Sequence, residues 1–173
     1  MREDTICALC TAQGQGAISL IRITGPKALE ITRRLAGFLP LKPESHRVYF
    51  GILKKGSEPL DQALVTYFAE GRSFTGEESL EISCHGGGIY EDILKALLSA
   101  GARMADRGEF SLRAFSNGKI DLTQAEGILQ LIESKNKITR RQAFAQLKGS
   151  LSRKIRQIEK LKLSLHGFAD EET

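Results

Sequence analysis

Short runs of alternating apolar and polar residues at 5–10 and 18–24 predict two β-strands, and the polar, glycine-containing segment 11–16 between them reads as their connecting loop. Gly25-Pro26 then opens a helix expected to reach residue 39, with Ala28, Leu29, Ile31, Leu35 and Phe38 near helical spacing, and Pro40 and Pro43 stop it. Residues 47–53 and 63–68 are strand candidates around the turn-rich 54–60. Residues 79–84 form a further strand, and the glycines 86–88 lead into a helix over 90–100. Strands and helices intermix without regular strand–helix repetition. This predicts an α+β fold with a mixed or antiparallel sheet rather than a doubly wound parallel one.

From Leu122 onward the periodicity is helical only. Leu122, Ala125, Ile128, Leu129 and Ile132 mark one helix. Apolar residues from Phe144 through Leu151, Ile158 and Leu165 to Phe168 recur at three- or four-residue intervals along a second, expected over 138–168. An unbroken helix of about 30 residues would be roughly 45 Å long. One small α+β core cannot cover such a stripe, so the expected organisation is a globular domain over 1–118 and the first part of an incomplete helical domain over 119–173.

Charge sharpens this division. Ten of the 25 Lys and Arg residues lie between positions 135 and 162, where Glu159 is the only acid, so the helical part reads as a basic rod. No apolar stretch approaches the roughly 20 residues of a membrane helix, and the first residues lack signal-peptide organisation, which predicts a cytoplasmic protein. The three cysteines exclude a complete disulfide framework. Cys7, Cys10, Cys84 and His85 could be read as a Cys3His zinc site, but the odd offset of Cys7 and Cys10 along a strand sends their side chains to opposite faces, so no metal is expected.

Candidate chemistry concentrates in two places. In 108–126, Asn117-Gly118 is a turn dipeptide, and Asp121 with Gln124 is a capping box opening the next helix. Lys119 sits between them, a cation at the positive end of a helix that needs an anion: Asp121, a ligand group or solvent. In the strand 79–84, Glu81 shares a polar face with Ser79 and Ser83 and so points to water or a ligand. Its carboxylate suits the adjacent ring N–H and amino group of a pterin. Arg22 shares a strand face with apolar Ile18 and Leu20, and its charge needs a partner: a structural ion pair with an acid such as Glu81, or a ligand. No phosphate-cradling G-x-x-x-x-G-K-[ST] loop occurs, and His85-Gly86-Gly87-Gly88 has no accompanying G-x-S-x-G nucleophile elbow.

Three blocks occur together in order: Asp4-Thr5-Ile6 leading to Gly14-Gln15-Gly16 and Leu20-Ile21-Arg22-Ile23-Thr24-Gly25; Ser73-Phe74-Thr75-Gly76-Glu77-Glu78 leading to Leu80-Glu81-Ile82 and His85-Gly86-Gly87; and the 108–126 segment. Over nearly the whole chain this resembles the N-terminal region of the TrmE (MnmE) family of bacterial tRNA-modification GTPases, departing locally at Gln15, Ala17 and Arg107. The resemblance implies an N-terminal domain similar to the folate-binding domain of aminomethyltransferases, followed by long helices. It implies a homodimer that binds 5-formyl-tetrahydrofolate or a related tetrahydrofolate, with the family's ligand residues falling on Arg22, Glu81 and Lys119. It further implies an intact protein, with GTPase and C-terminal helical parts outside this chain, that works with the flavoprotein GidA (MnmG) on the wobble uridine of tRNA. That protein would use GTP, Mg2+ and K+ at sites outside these residues, so this chain reads as a fragment that is non-catalytic alone and has no catalytic residues of its own. Two other readings stay open: a basic RNA-binding helical module, and a stand-alone folate-dependent aminomethyl or methyl transferase.

Overall fold

The computed structural model describes residues 4–14 and 16–149, and divides the chain into two compact units, Met1–Asn117 and Gly118–Thr173. The first unit is built on a six-stranded sheet in the order β3-β4-β5-β2-β1-β6. Its strands are β1 (Ile6–Leu9), β2 (Ile18–Thr24), β3 (Arg47–Lys55), β4 (Glu58–Phe68), β5 (Ser79–His85) and β6 (Arg103–Met104). All pairings are antiparallel except β1 with β6, so the sheet is mixed and the fold is α+β, as the pattern predicts.

Alternation along the strands decides which face is covered. Ile21, Ile23, Leu53, Val65, Leu80 and Ile82 point to one face and are fully buried there. Each contributes about 1.5–3 kcal/mol by leaving water. Helices α1 (Ala28–Leu35) and α2 (Ile89–Ser99) cover that face. The opposite face is open, and carries Ile18, Val48, Phe50, Ile52 and Leu64 exposed.

Helix α1 is shorter than the expected 26–39. Its chain leaves helical geometry at Ala36, where Leu39 N–H turns back to the Ala36 carbonyl at 3.0 Å, and this delivers Leu39 into the core at 2% exposure. Burial of Leu39 outweighs continuation of a helix whose next turn would point it elsewhere. Helix α3 (Glu109–Ser116) and the short β6 lie where the sequence pattern predicts no helix or strand.

An ion network fixes α3. Glu109 is 3% exposed and takes Arg103 Nη2 at 2.6 Å and Arg113 Nη2 at 3.2 Å, while Arg113 also reaches Asp4 at 2.7 Å and Glu77 at 3.0 Å. Every buried charge here has an opposite partner, the condition under which burying charge is tolerable. The network ties α3 to the start of β1 and to the loop before β5.

In the second unit, Asp121 accepts from Gln124 N–H at 2.9 Å and Gln124 Oε1 accepts from Asp121 N–H at 3.0 Å, the expected capping box at the start of α4 (Leu122–Glu133). Helix α5 (Lys137–Leu147) packs against α4 at Gly127, where an added Cβ would lie 2.9 Å from Leu147 N and 3.1 Å from the Ala143 carbonyl oxygen. The expected unbroken helix over 138–168 is interrupted: α5 ends at Leu147, and Lys148 and Gly149 donate back to Phe144 and Gln146 carbonyls at 3.1 and 2.8 Å. These bonds satisfy the last carbonyls of α5 and close it. The remainder of that stretch lies outside the described residues.

Candidate ligand site on the open sheet face

Strand register aligns Ala8, Arg22, Glu81, Thr66 and Val48 as neighbours in one row across the open face. Arg22 and Glu81 are thus brought together by β-pairing itself. Arg22 donates through Nε at 3.0 Å and Nη2 at 2.6 Å, both to Glu81 Oε1. Among the described residues no hydrogen bond reaches Glu81 Oε2 or leaves Arg22 Nη1. The pair is about a quarter exposed, at 23% and 24%.

Two phenyl rings flank the guanidinium, with Phe74 and Phe110 centroids 5.3 and 5.5 Å from its central carbon. Such contacts add cation–π attraction and restrict the arginine's rotamers. Phe110 is supplied by α3. Phe74 is supplied by the loop before β5, whose conformation follows from its hydroxyls. Thr24 Oγ1 lies 2.7 Å from Thr75 Oγ1 and 2.6 Å from Ser79 Oγ, and Ser73 Oγ donates to the Glu77 carbonyl at 2.6 Å. Ser73, Thr75 and Ser79 are buried, so their hydroxyls are satisfied within this network rather than by water.

The two glutamates of the loop serve as anchors. Glu77 pairs with Arg113, and the Glu78 carboxylate accepts from Leu29 N–H at 3.1 Å, in the first turn of α1, and from Tyr67 Oη at 2.9 Å. Burial and the Glu78 charge push the Tyr67 phenol up to about 12. The Ser73–Phe74–Thr75 run thereby presents Phe74 to the open face while its neighbours are held inside. A small cleft of about 110 Å³, continuous with solvent, is lined by Arg22, Phe68, Arg72, Ser73, Phe74, Ser79 and Glu81.

Lys119, the third candidate, belongs to the second unit and precedes the Asp121 N-cap. The aromatic flank and Arg72 are additions that sequence reasoning missed. Phe74 lies inside a block that carried the family resemblance, yet nothing in its spacing singled it out. Phe110 needed α3, which the pattern did not reveal.

The His85 segment is structural at its backbone. His85 N–H and Nδ1 meet the two Asp61 carboxylate oxygens at 2.8 and 2.7 Å. At Gly86 a Cβ would collide with the Gly16 carbonyl oxygen, so the glycine permits close approach of the two loops. Cys7 and Cys84 are buried, with burial pushing each thiol up to about 11, while Cys10 is exposed. Among the described residues no group of three or more His, Cys, Asp or Glu side chains could hold a metal ion. None of the described helices is long and apolar enough to cross a membrane.

The family model described as "GTP-binding protein TrmE N-terminus" matches residues 5–119, which include Arg22, Glu81, the 73–78 loop and Lys119. The chain belongs to the TrmE family. Similar TrmE-family relatives, each called tRNA modification GTPase MnmE, include one from Bdellovibrio bacteriovorus, 55% identical over 91% of this chain and 33% of its own length. One from Bacteroides thetaiotaomicron is 44% identical over 90% of this chain and 34% of its own length. Another, from Saccharophagus degradans, is 41% identical over 97% of this chain and 37% of its own length. The chain thus spans about a third of the length of these relatives.

Proposed function

We propose that the first unit of this TrmE-family chain binds a tetrahydrofolate derivative, 5-formyl-tetrahydrofolate or a close relative, on its open sheet face, as part of a protein that modifies tRNA. The observation that carries this reading is the half-committed Arg22–Glu81 pair, with the Arg22 guanidinium over the rings of Phe74 and Phe110. Glu81 Oε2 and the second lone pair of Oε1 can together accept the paired N–H groups of a pterin edge. Arg22 holds the carboxylate in plane while its Nη1 is left to donate to a ring carbonyl. Phe68 and Phe74, which line the cleft, supply the apolar walls a flat heterocycle needs. The folate would bring a one-carbon unit; the residues here bind and orient it. Lys119 is the third ligand residue that the family resemblance implies.

In the same reading the first unit forms a homodimer through the exposed apolar rows Val48–Phe50–Ile52 and Leu64, since a contiguous apolar patch of this kind on a sheet face marks an association surface. The 1–118 region is then the folate-binding and dimerisation domain, and the residues from 119 onward begin a helical domain. The whole protein, acting with the flavoprotein GidA (MnmG), would carry GTP hydrolysis with Mg2+ and K+ outside these residues. The relatives' names support an action on tRNA, and the family resemblance implies that its target there is the wobble uridine. Calorimetric titration with tetrahydrofolate tests the site: Glu81→Ala should weaken binding by about 2 kcal/mol with the fold unchanged. Equal affinity in both proteins would remove Glu81 from it.

A second reading has its own observation. Lys135, Lys137, Arg140, Arg141 and Lys148 are all exposed, and none forms an ion pair among the described residues. This face suits phosphate contact with tRNA, and binding there would weaken steeply as salt rises.

A further inference from the structure

The cleft beside the Arg22–Glu81 pair carries a charge imbalance that the pair does not explain. Arg22 and Glu81 neutralise each other at 2.6 Å, so together they present no net charge to an incoming anion. Arg72 lines the same cleft next to Phe68 and Phe74, and is exposed. Its backbone N–H is used in a turn to the Ala69 carbonyl at 2.9 Å, which fixes where the residue leaves the chain. Its guanidinium has no hydrogen-bond or ion-pair partner among the described residues. The cleft therefore has one surplus positive charge.

Resting on the folate reading above, we propose that Arg72 is a further binding residue that takes the carboxylate tail of the ligand and so selects tailed folates over free pterins. A ligand whose flat donor edge is spent on Glu81 extends away along the aromatic wall. An anionic group at its far end then needs a cation that is not already neutralised. Arg72 meets that need, and its forked donors match a carboxylate with two parallel hydrogen bonds. Arg22 cannot do the same without giving up Glu81. Because Arg72 is exposed, its contribution is screened by salt, whereas the pterin contact, at the Arg22–Glu81 pair that is only about a quarter exposed, is screened less.

The test compares two probes by calorimetry on the full chain: tetrahydrofolate, and 6-methyl-tetrahydropterin, which lacks the tail, titrated to millimolar concentration. Arg72→Gln should weaken tetrahydrofolate roughly five-fold, the upper scale of an ion pair at an exposed site, and leave the pterin within two-fold. The gap should narrow as salt is raised. Unchanged tetrahydrofolate affinity in Arg72→Gln, or equal weakening of both probes, would overturn the assignment. Failure of the underlying reading looks different: the unsubstituted chain would bind neither probe, or Glu81→Gln would leave both affinities intact.

Discussion

Glu109 is the residue on which α3 depends. The Arg103 side chain, Asp106 N–H and the Arg113 side chain hold its carboxyl down at about 2 against the opposing effect of burial. Since the folded value lies below the ordinary 4.5, its contribution is complete above about pH 4.5 and is lost as pH falls toward about 2. Glu109→Gln leaves Arg103 and Arg113 short of a counter-charge, and Arg113 is only 7% exposed. Urea unfolding at pH 7 should show a loss of about 3 kcal/mol, the scale for breaking a buried pair. It should also show a shallower acid dependence between pH 5 and pH 2, and identical acid profiles would show that the network does not stabilise the fold. None of this was legible in sequence, because Asp4 and Glu77 are far from Glu109 along the chain and only tertiary folding brings them to it. Glu81 and Arg22 were legible, since period two alone places each on a polar or conflicted strand face. Their pairing, left open between ion pair and ligand contact, is present as an ion pair with one carboxylate oxygen to spare.

At the scale of elements, long apolar periodicity identified β2, β5, α2 and α4 well, because burial on one face is what their spacing encodes. The ends of α1 and α5 were not legible. One is set by the core's demand for Leu39, the other by a turn whose carbonyl partners are known only once the backbone is placed. The α4–α5 crossing depends on Gly127, where backbone atoms of α5 stand at close contact distance. Gly127→Val should separate the two helices and lower the stability of that unit by about 1–3 kcal/mol, the usual cost of overpacking. Hydrogen exchange would read this as faster exchange of α4 and α5 amides with β2 and β5 amides unchanged. Unchanged protection in α4 would mean the crossing adjusts without cost.

At the largest scale, the sheet of the first unit is two-sided: one face is packed by helices, and the other is open and carries both the Arg22–Glu81 cleft and an apolar patch. Phe50 is 63% exposed at the centre of that patch. If the patch is the dimer surface, Phe50→Lys should shift sedimentation toward monomer by at least ten-fold in dissociation constant, as expected for an anchor residue at an interface centre. A dimer of unchanged affinity would place the interface elsewhere. The proposed folate site on the same face is tested most directly by NMR of the isotopically labelled chain titrated with tetrahydrofolate. The predicted result is saturable shifts confined to residues around Arg22, Glu81, Phe74 and Phe110, with the helix-covered face unchanged. Saturable shifts centred on other residues, or no shifts at millimolar ligand, would contradict it.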